Sequence, residues 1–258
     1  MAKAFARLAV IDSRRWIAFL LDILPRLVDV DFDQLSDEKK RMLQMFYVTV
    51  WGETASDWNS DRVLENLYNI ADSPFMLSEL IALLQHRFNH IDFIDEPVNL
   101  GFACPLDLHC TYTRDQILVA MDFMKPNTVR EGVKYLPEKK ADIFFVTLNK
   151  SDKDYSPTTM YNDYSISETL FHWQSQSITS ANSATGRRYI HHKESGNRIL
   201  LFVREFKSDR NFGGAGAYTF LGTANYVKHD GSRPMNITWK LDRPIPAKFL
   251  KKTNKLIG

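Results

Sequence analysis

The chain has few of the residues that mark secreted, zinc-rich or membrane proteins. Its 258 residues include two cysteines, Cys104 and Cys110, which cannot build a disulfide framework or supply four zinc ligands. No signal peptide is recognisable at the start, and the longest apolar run, residues 16–24, is too short to span a bilayer and contains Asp22. We therefore expect a soluble, cytoplasmic protein with reduced thiols and no membrane partner.

The charge is distributed unevenly along the chain. The composition, 44% hydrophobic and 25% charged, excludes disordered and low-complexity proteins, and the formal net charge is only +2. Residues 1–110 carry 10 Lys and Arg against 17 Asp and Glu, a net of −7, whereas residues 111–258 carry 23 against 14, a net of +9. This asymmetry predicts two modules, and the basic one suits a polyanion such as nucleic acid, although a solvated basic surface gives the same count.

The first hundred residues show helical periodicity. The apolar spacing predicts one helix over residues 8–24, ended by Pro25, and another that Ser36 caps. Two more are predicted, over residues 61–71 and from about Ser78. Short helices need one another to bury their apolar faces, so we expect a compact bundle. Its aromatic residues lie at helical spacing, which is typical of a core.

The pattern changes after a connector at residues 91–112 and a helix over residues 114–124 that Thr113 caps. Turn signals at residues 193–197, at Gly222 and at residues 230–231 separate runs of strand length. The predicted strands cover residues 141–148, 170–176, 187–192, 198–205, 218–221, 226–229 and 235–241. This pattern indicates an α+β chain, with a helical domain at residues 1–110 and an open or closed β-barrel domain at residues 111–258.

Motifs for catalysis and metal binding are missing. There is no phosphate loop, no G-x-S-x-G elbow and no H-E-x-x-H. Cys104, His109 and Cys110 have no fourth zinc ligand nearby, and His191 and His192, adjacent on a predicted strand, would point to opposite faces. Asp163 and His172 could form an acid–base pair, but no nucleophile accompanies them. We therefore expect no enzyme activity, no metal and no cofactor.

One segment, residues 155–176, is dense in aromatic and polar residues. A flat base can be held between aromatic faces while a carboxylate accepts from the N4 amine of cytosine. The stacking candidates are Tyr155, Tyr161, Tyr164 and Trp173; the acceptor is Asp163; His172, Gln174 and Gln176 share one strand face and could line the pocket. The alternative is that Tyr161, Phe171 and Trp173 are barrel core and the polar residues make loop hydrogen bonds.

Basic residues in and around the predicted loops are candidates for DNA phosphate contacts. They are Arg187, Arg188, Lys193, Arg198, Arg210 and Lys228. For each one a solvated side chain is the alternative.

Several ordered strings resemble a bacterial family of domains of unknown function. They lie at residues 155–164 (YSPTTMYNDY), 171–176 (FHWQSQ), 200–205 (LLFVRE), 218–222 (YTFLG) and 237–241 (ITWKL). The resemblance covers nearly the whole chain and is strongest from about residue 110. Members of that family typically lie at the C-terminus of superfamily II helicases, some of which carry a phospholipase-D-like nuclease.

The resemblance implies a fold and a function. In modification-dependent restriction endonucleases of this architecture, the C-terminal region is taken to recognise methylated cytosine through a fold similar to SET-and-RING-associated (SRA, PUA-like) domains. Residues 1–110 would then couple a helicase to an SRA-like β-barrel that reads 5-methyl- or 5-hydroxymethylcytosine in duplex DNA for phage defence. This chain has no helicase or nuclease motifs, so that module would be supplied in cis or in trans. The alternative is a protein-interaction module that docks the helicase–nuclease without reading a base.

Overall fold

The chain folds into two compact units, residues 1–129 and 130–258. The computed structural model describes residues 2–149, 163–208 and 215–253, so the candidates Tyr155, Tyr161 and Arg210 lie outside the described residues. The first unit carries 12 Lys and Arg against 19 Asp and Glu and the second 21 against 12, so their net charges are −7 and +9. In the described ranges, no helix combines the length and the apolar character that crossing a membrane requires.

The first unit is helical, and its helices begin at residues suited to capping. Ser36 accepts a hydrogen bond from the backbone N–H of Lys39, as predicted. Thr113 and Gln116 form a reciprocal capping box. The helices are α1 (Ala2–Leu8), α2 (Arg14–Ile23), α3 (Asp37–Trp51), α4 (Asp61–Ala71), α5 (Pro74–Asn89) and α6 (Arg114–Ala120), with two-residue strands β1 (Glu96–Pro97), β2 (Asp107–Leu108) and β3 (Thr111–Tyr112).

Two helix predictions in this unit need correction. The helix predicted over residues 8–24 begins only at Arg14, because Ser13 caps α2 and accepts from the backbone N–H of Trp16 at 3.1 Å, and Leu8 is the last residue of α1. Helix α5 begins at Pro74 instead of near Ser78, since proline suits the first helical position.

The sequence predicts a boundary between the modules near residue 110. The two units divide after residue 129, and Gln116 of α6 donates to Thr49 of α3 at 2.8 Å.

The second unit is built on a mixed sheet. Its strands are β4 (Val133–Leu136), β5 (Ala141–Asn149), β6 (Tyr164–Ser165), β7 (Leu170–Gln174), β8 (Arg198–Phe206), β9 (Tyr218–Asp230) and β10 (Asn236–Leu241), and its helices are α7 (Ala184–Ile190) and α8 (Ala247–Thr253). Their order is β4-β5-β8-β9-β10-β7-β6, with β5 and β8 parallel and every other neighbouring pair antiparallel. The helical first unit and the sheet of the second unit confirm the predicted α+β class. Among the described residues no hydrogen-bonded ladder joins the two outer strands, β4 and β6, so the closed barrel stays a prediction.

One face of this sheet carries a large aromatic core. Alternation along β7 buries Phe171 and Trp173 and leaves Leu170, His172 and Gln174 half-buried, as predicted. Trp173 stacks on Phe144 with ring centroids 4.1 Å apart. The cluster extends through Tyr189 and Trp239 to aliphatic residues of β5, β8 and β10. This packing anchors β7 in the sheet through Phe171 and Trp173.

Two strand predictions in the second unit are wrong. Residues 187–192 belong to helix α7 and the turn after it, because Ser183 caps the helix and Tyr189, one turn beyond Gly186, is buried on the same side. A Cβ on Gly186 would lie 2.0 Å from the carbonyl oxygen of Ser180, so only glycine fits there. Gly222 does not end a strand either: with φ of 91°, it lies at a register shift inside β9.

Candidate nucleic-acid interface

Strands β6, β7, β10 and β9 bring four side chains into one row across the sheet. Tyr164 lies opposite His172, His172 lies opposite Thr238, and Thr238 lies opposite Lys228. Directly opposed residues in an antiparallel ladder project from the same face about 5 Å apart. We call Tyr164, His172, Thr238 and Lys228 the cross-strand row.

The first two members of the cross-strand row form an aromatic pair. The rings of Tyr164 and His172 are nearly parallel, at 11°, with centroids 4.8 Å apart. Both residues are half-buried, whereas Lys228 at the far end is exposed. Thr238, between His172 and Lys228, is buried, with 9% of its surface exposed. The row therefore combines a half-buried aromatic pair, a buried threonine and an exposed ammonium group.

A second polar row lies next to the first, at the C-terminal end of β7 and the N-terminal end of β10. Gln174 lies opposite Asn236, which lies opposite Asp230. The Gln174 amide donates to the Asn236 side-chain oxygen at 3.0 Å, which holds both side chains on the face. Amide and carboxylate groups on one flat face can read the hydrogen-bonding edge of a base.

Asp163 precedes β6 and is almost completely buried, with 2% of its surface exposed. Its carboxylate accepts a hydrogen bond from the backbone N–H of Gln174 at 2.9 Å. The carboxylate is therefore held below the surface against the backbone of β7, the strand that carries His172 and Gln174.

Two other pocket candidates lie elsewhere. Trp173 points into the core, against Phe144, Tyr189 and Trp239, and not toward the cross-strand row. Gln176 lies past the end of β7, where its amide donates to Glu131 at 3.0 Å. The pocket candidates that the structure brings together are thus Asp163, Tyr164, His172 and Gln174.

The phosphate candidates differ in their exposure and in the partners of their side chains. Arg187 and Lys193 are exposed on α7 and in the turn after it, and Arg198 is half-buried at the start of β8. Arg188 instead makes a bidentate ion pair with Asp142, at 2.8 and 2.9 Å, and its guanidinium covers the Tyr135 ring at 3.8 Å. Its contacts are those of a structural residue.

The turn after α7 is fixed to β9 by a buried histidine. Nε2 of His192 accepts the backbone N–H of Tyr226 at 3.0 Å, so Nδ1 carries the proton toward the Asn197 carbonyl, 3.1 Å away. Desolvation by burial lowers the pKa of His192 below its usual 6.5. His191, by contrast, is exposed at the end of the helix, so this pair does not share a site.

The neutral form of His192 predicts a pH dependence of stability. Because the folded pKa lies below the unfolded one, the unfolded chain binds the proton first, and stability present above about pH 6.5 is lost as the pH falls through the folded pKa. Urea denaturation at about pH 7.5 and about pH 5.5 should show a larger drop in the free energy of unfolding for the wild type than for His192→Gln. Equal drops in the two proteins would contradict this role.

One cluster of possible metal ligands occurs in the first unit. Asp95, Asp107 and Cys110 place one ligand atom each within 4.8 Å of one another. However, Asp95 pairs with Arg14, Asp107 pairs with Arg15 at 2.7 Å, and burial raises the pKa of the Cys110 thiol. The arginines already neutralise both carboxylates, so we assign no metal to this cluster.

Residues 106–252 match a family described as a domain of unknown function, DUF3427. The chain belongs to this family. No curated protein matches it. The DUF3427 segment contains every described strand from β2 onward and both polar rows, whereas helices α1–α5 lie outside it.

Sequence reasoning missed three members of these rows in the DUF3427 segment, Thr238, Asn236 and Asp230. The signal was present: along β10, Asn236, Thr238 and Lys240 alternate with the buried Ile237, Trp239 and Leu241. The alternation alone does not show which strands lie beside β10. Only the register of β10 between β7 and β9 shows that its polar face continues that of His172.

Proposed function

We propose that this DUF3427 chain is a DNA-binding specificity module that recognises 5-methyl- or 5-hydroxymethylcytosine in duplex DNA by flipping the base. The observation that carries the proposal is the cross-strand row, an aromatic pair in line with an exposed lysine, on a unit of net charge +9. Aromatic faces stack on bases, and lysines hold phosphates.

Each polar group has a role in this proposal. Tyr164 and His172 provide the stacking surface for the extruded base. Asp163, whose carboxylate is held at the backbone of Gln174, is the proposed acceptor for the N4 amine, because a carboxylate matches that donor. The Gln174–Asn236 amide pair contacts the base edge or the neighbouring nucleotides.

The wider context belongs to the same proposal. The second unit has an SRA-like architecture, and the acidic helical unit couples it to a helicase–nuclease, in cis or in trans, within a modification-dependent restriction system. The unlike charges of the two units support this division, because a unit of net charge −7 is repelled by DNA while one of +9 is attracted to it.

A binding panel tests the reading of the base. Three duplexes that differ only in one central cytosine, unmodified, 5-methyl or 5-hydroxymethyl, are titrated with the full chain and followed by fluorescence anisotropy. We expect tighter binding to at least one modified duplex. Equal affinity for all three would exclude the base-reading function.

Lys228 provides a separate prediction about the phosphate backbone. Lys228→Ala should weaken binding to all duplexes alike and reduce the slope of log affinity against log salt by about one unit. The matched control is Lys39→Ala, since Lys39 is exposed on helix α3 of the acidic unit. An unchanged slope in Lys228→Ala would remove this lysine from the interface.

A protein-interaction module is the second candidate function. Three large apolar side chains in the described part of the acidic unit are exposed, Val28 at 51%, Phe75 at 77% and Ile94 at 78%. Side chains exposed to this degree are available for contact with a protein partner. If the chain binds a partner ATPase and no duplex in the panel, this function replaces the first.

A further inference from the structure

Two exposed histidines lie at the C-terminal end of helix α5, His86 in its last turn and His90 directly after its last residue. His86 and His90 are four residues apart, so they are neighbours on the helix surface, and both are exposed. Their rings lie side by side, with centroids 4.1 Å apart and planes at 32°. Neither residue belongs to the polar rows or to the DUF3427 match.

The local hydrogen bonding prepares His90 to act as a ligand. Nδ1 of His90 lies 2.7 Å from the backbone carbonyl of His86, and a carbonyl oxygen can only accept, so Nδ1 carries the proton. The lone pair of the ring is therefore on Nε2. Metal-binding histidines typically donate their second ring N–H to a carbonyl or carboxylate in this way.

The electrostatic surroundings favour a cation. The last turn of a helix carries partial negative charge from its unpaired carbonyls, and the unit as a whole has a net charge of −7. The nearest basic residue in the sequence, Arg87, turns to the backbone carbonyl of Ile11, to which it donates at 3.1 Å.

We propose that His86 and His90 form a bidentate surface site for a divalent transition metal such as Zn²⁺ or Ni²⁺. Two imidazole nitrogens about 2.1 Å from one tetrahedral ion lie about 3.4 Å apart. The two rings, with centroids 4.1 Å apart, are neighbours at this range, and metal binding would turn their Nε2 atoms toward one ion. Water completes the coordination. Imidazole selects borderline transition metals and disfavours Mg²⁺ and Ca²⁺, which require oxygen ligands.

The test titrates the full chain with Zn²⁺ alone and records the imidazole ¹⁵N resonances. We expect Nε2 of both histidines to shift together and saturate at one equivalent, and Mg²⁺ at the same concentration to leave them unchanged. His86→Gln and His90→Gln, on an exposed face where the helix tolerates glutamine, should each weaken Zn²⁺ binding at this site by at least about tenfold. The control is His191→Gln in the second unit, which should leave the shifts at His86 and His90 unchanged.

Three outcomes would overturn the site: no shift at either histidine, a shift at only one of them, or equal affinity in the wild type and the double variant. Circular dichroism of the variants confirms that helix α5 is intact. The site is independent of DNA reading, so failure of either proposal leaves the other standing.

Discussion

Replacing Arg188 by alanine should lower the free energy of unfolding by about 3 kcal/mol, one of the two largest stability effects expected in this protein. Asp142, on β5, is completely buried. Its carboxylate accepts two hydrogen bonds from the guanidinium of Arg188 and one, at 2.8 Å, from the Asn197 amide. Without the arginine, a buried carboxylate keeps one amide donor and loses its positive partner.

The neighbouring arginine provides the control for this measurement. Arg187 is exposed on the same helix, so Arg187→Ala should change stability by no more than about 0.5 kcal/mol. Urea denaturation measures the free energy of unfolding of both variants and of the wild type. If Arg188→Ala is as stable as the wild type, the ion pair does not hold helix α7 to the sheet. Weaker DNA binding by Arg188→Ala is therefore no evidence of a phosphate contact unless stability is measured beside it.

Trp173→Ala should reduce stability and Tyr164→Ala should reduce DNA affinity, although both aromatic residues come from the segment 155–176. Trp173 is 5% exposed and contacts Phe144, Tyr189 and Trp239, so its removal should cost about 3–5 kcal/mol of stability. Tyr164 is half-buried on the opposite face, beside His172. Its removal should leave a folded protein that binds the modified duplex about 5- to 150-fold more weakly, since stacking on one base contributes about 1–3 kcal/mol.

The pair of variants separates core from interface. Denaturation and anisotropy are measured on both, with Phe171→Leu as a second core change whose smaller volume loss should cost less than Trp173→Ala. Tyr164→Ala with unchanged affinity for the modified duplex would remove the stacking surface from the proposal. Trp173→Ala with unchanged stability would contradict the packing of β7.

Much of the local structure could be predicted because the signals are local. Helix α4 has the predicted bounds, and Ser36 and Thr113 cap the helices that they were predicted to cap. The alternation of residues 170–174 correctly separated Phe171 and Trp173 from His172. The burial of Trp173 agrees with the core alternative and not with the base stacking predicted for it. Each of these features depends on side chains within one or two turns of the chain.

The features that the sequence did not reveal depend on residues that lie far apart along the chain. Residues 187–192 contain Tyr189 and Ile190, which suit a strand, yet the contact of Gly186 with Ser180 and the burial of Tyr189 make this segment helical. Arg188 is a phosphate candidate in the sequence because it is basic and close to a predicted loop, whereas its partner Asp142 is 46 residues away. The cross-strand row joins residues 164, 172, 228 and 238 through strand register, which one sequence does not contain.

The most direct test of base reading is a competition measurement at two salt concentrations. One labelled duplex with a single 5-methylcytosine is displaced by unlabelled duplexes that carry cytosine, 5-methylcytosine or 5-hydroxymethylcytosine at the same position. Phosphate contacts are common to all three duplexes, so each affinity should fall steeply with salt while the ratio between modified and unmodified duplexes stays constant and above one. A ratio of one at both salt concentrations would show that the basic unit binds DNA, if at all, through the backbone alone, and would contradict the proposed function.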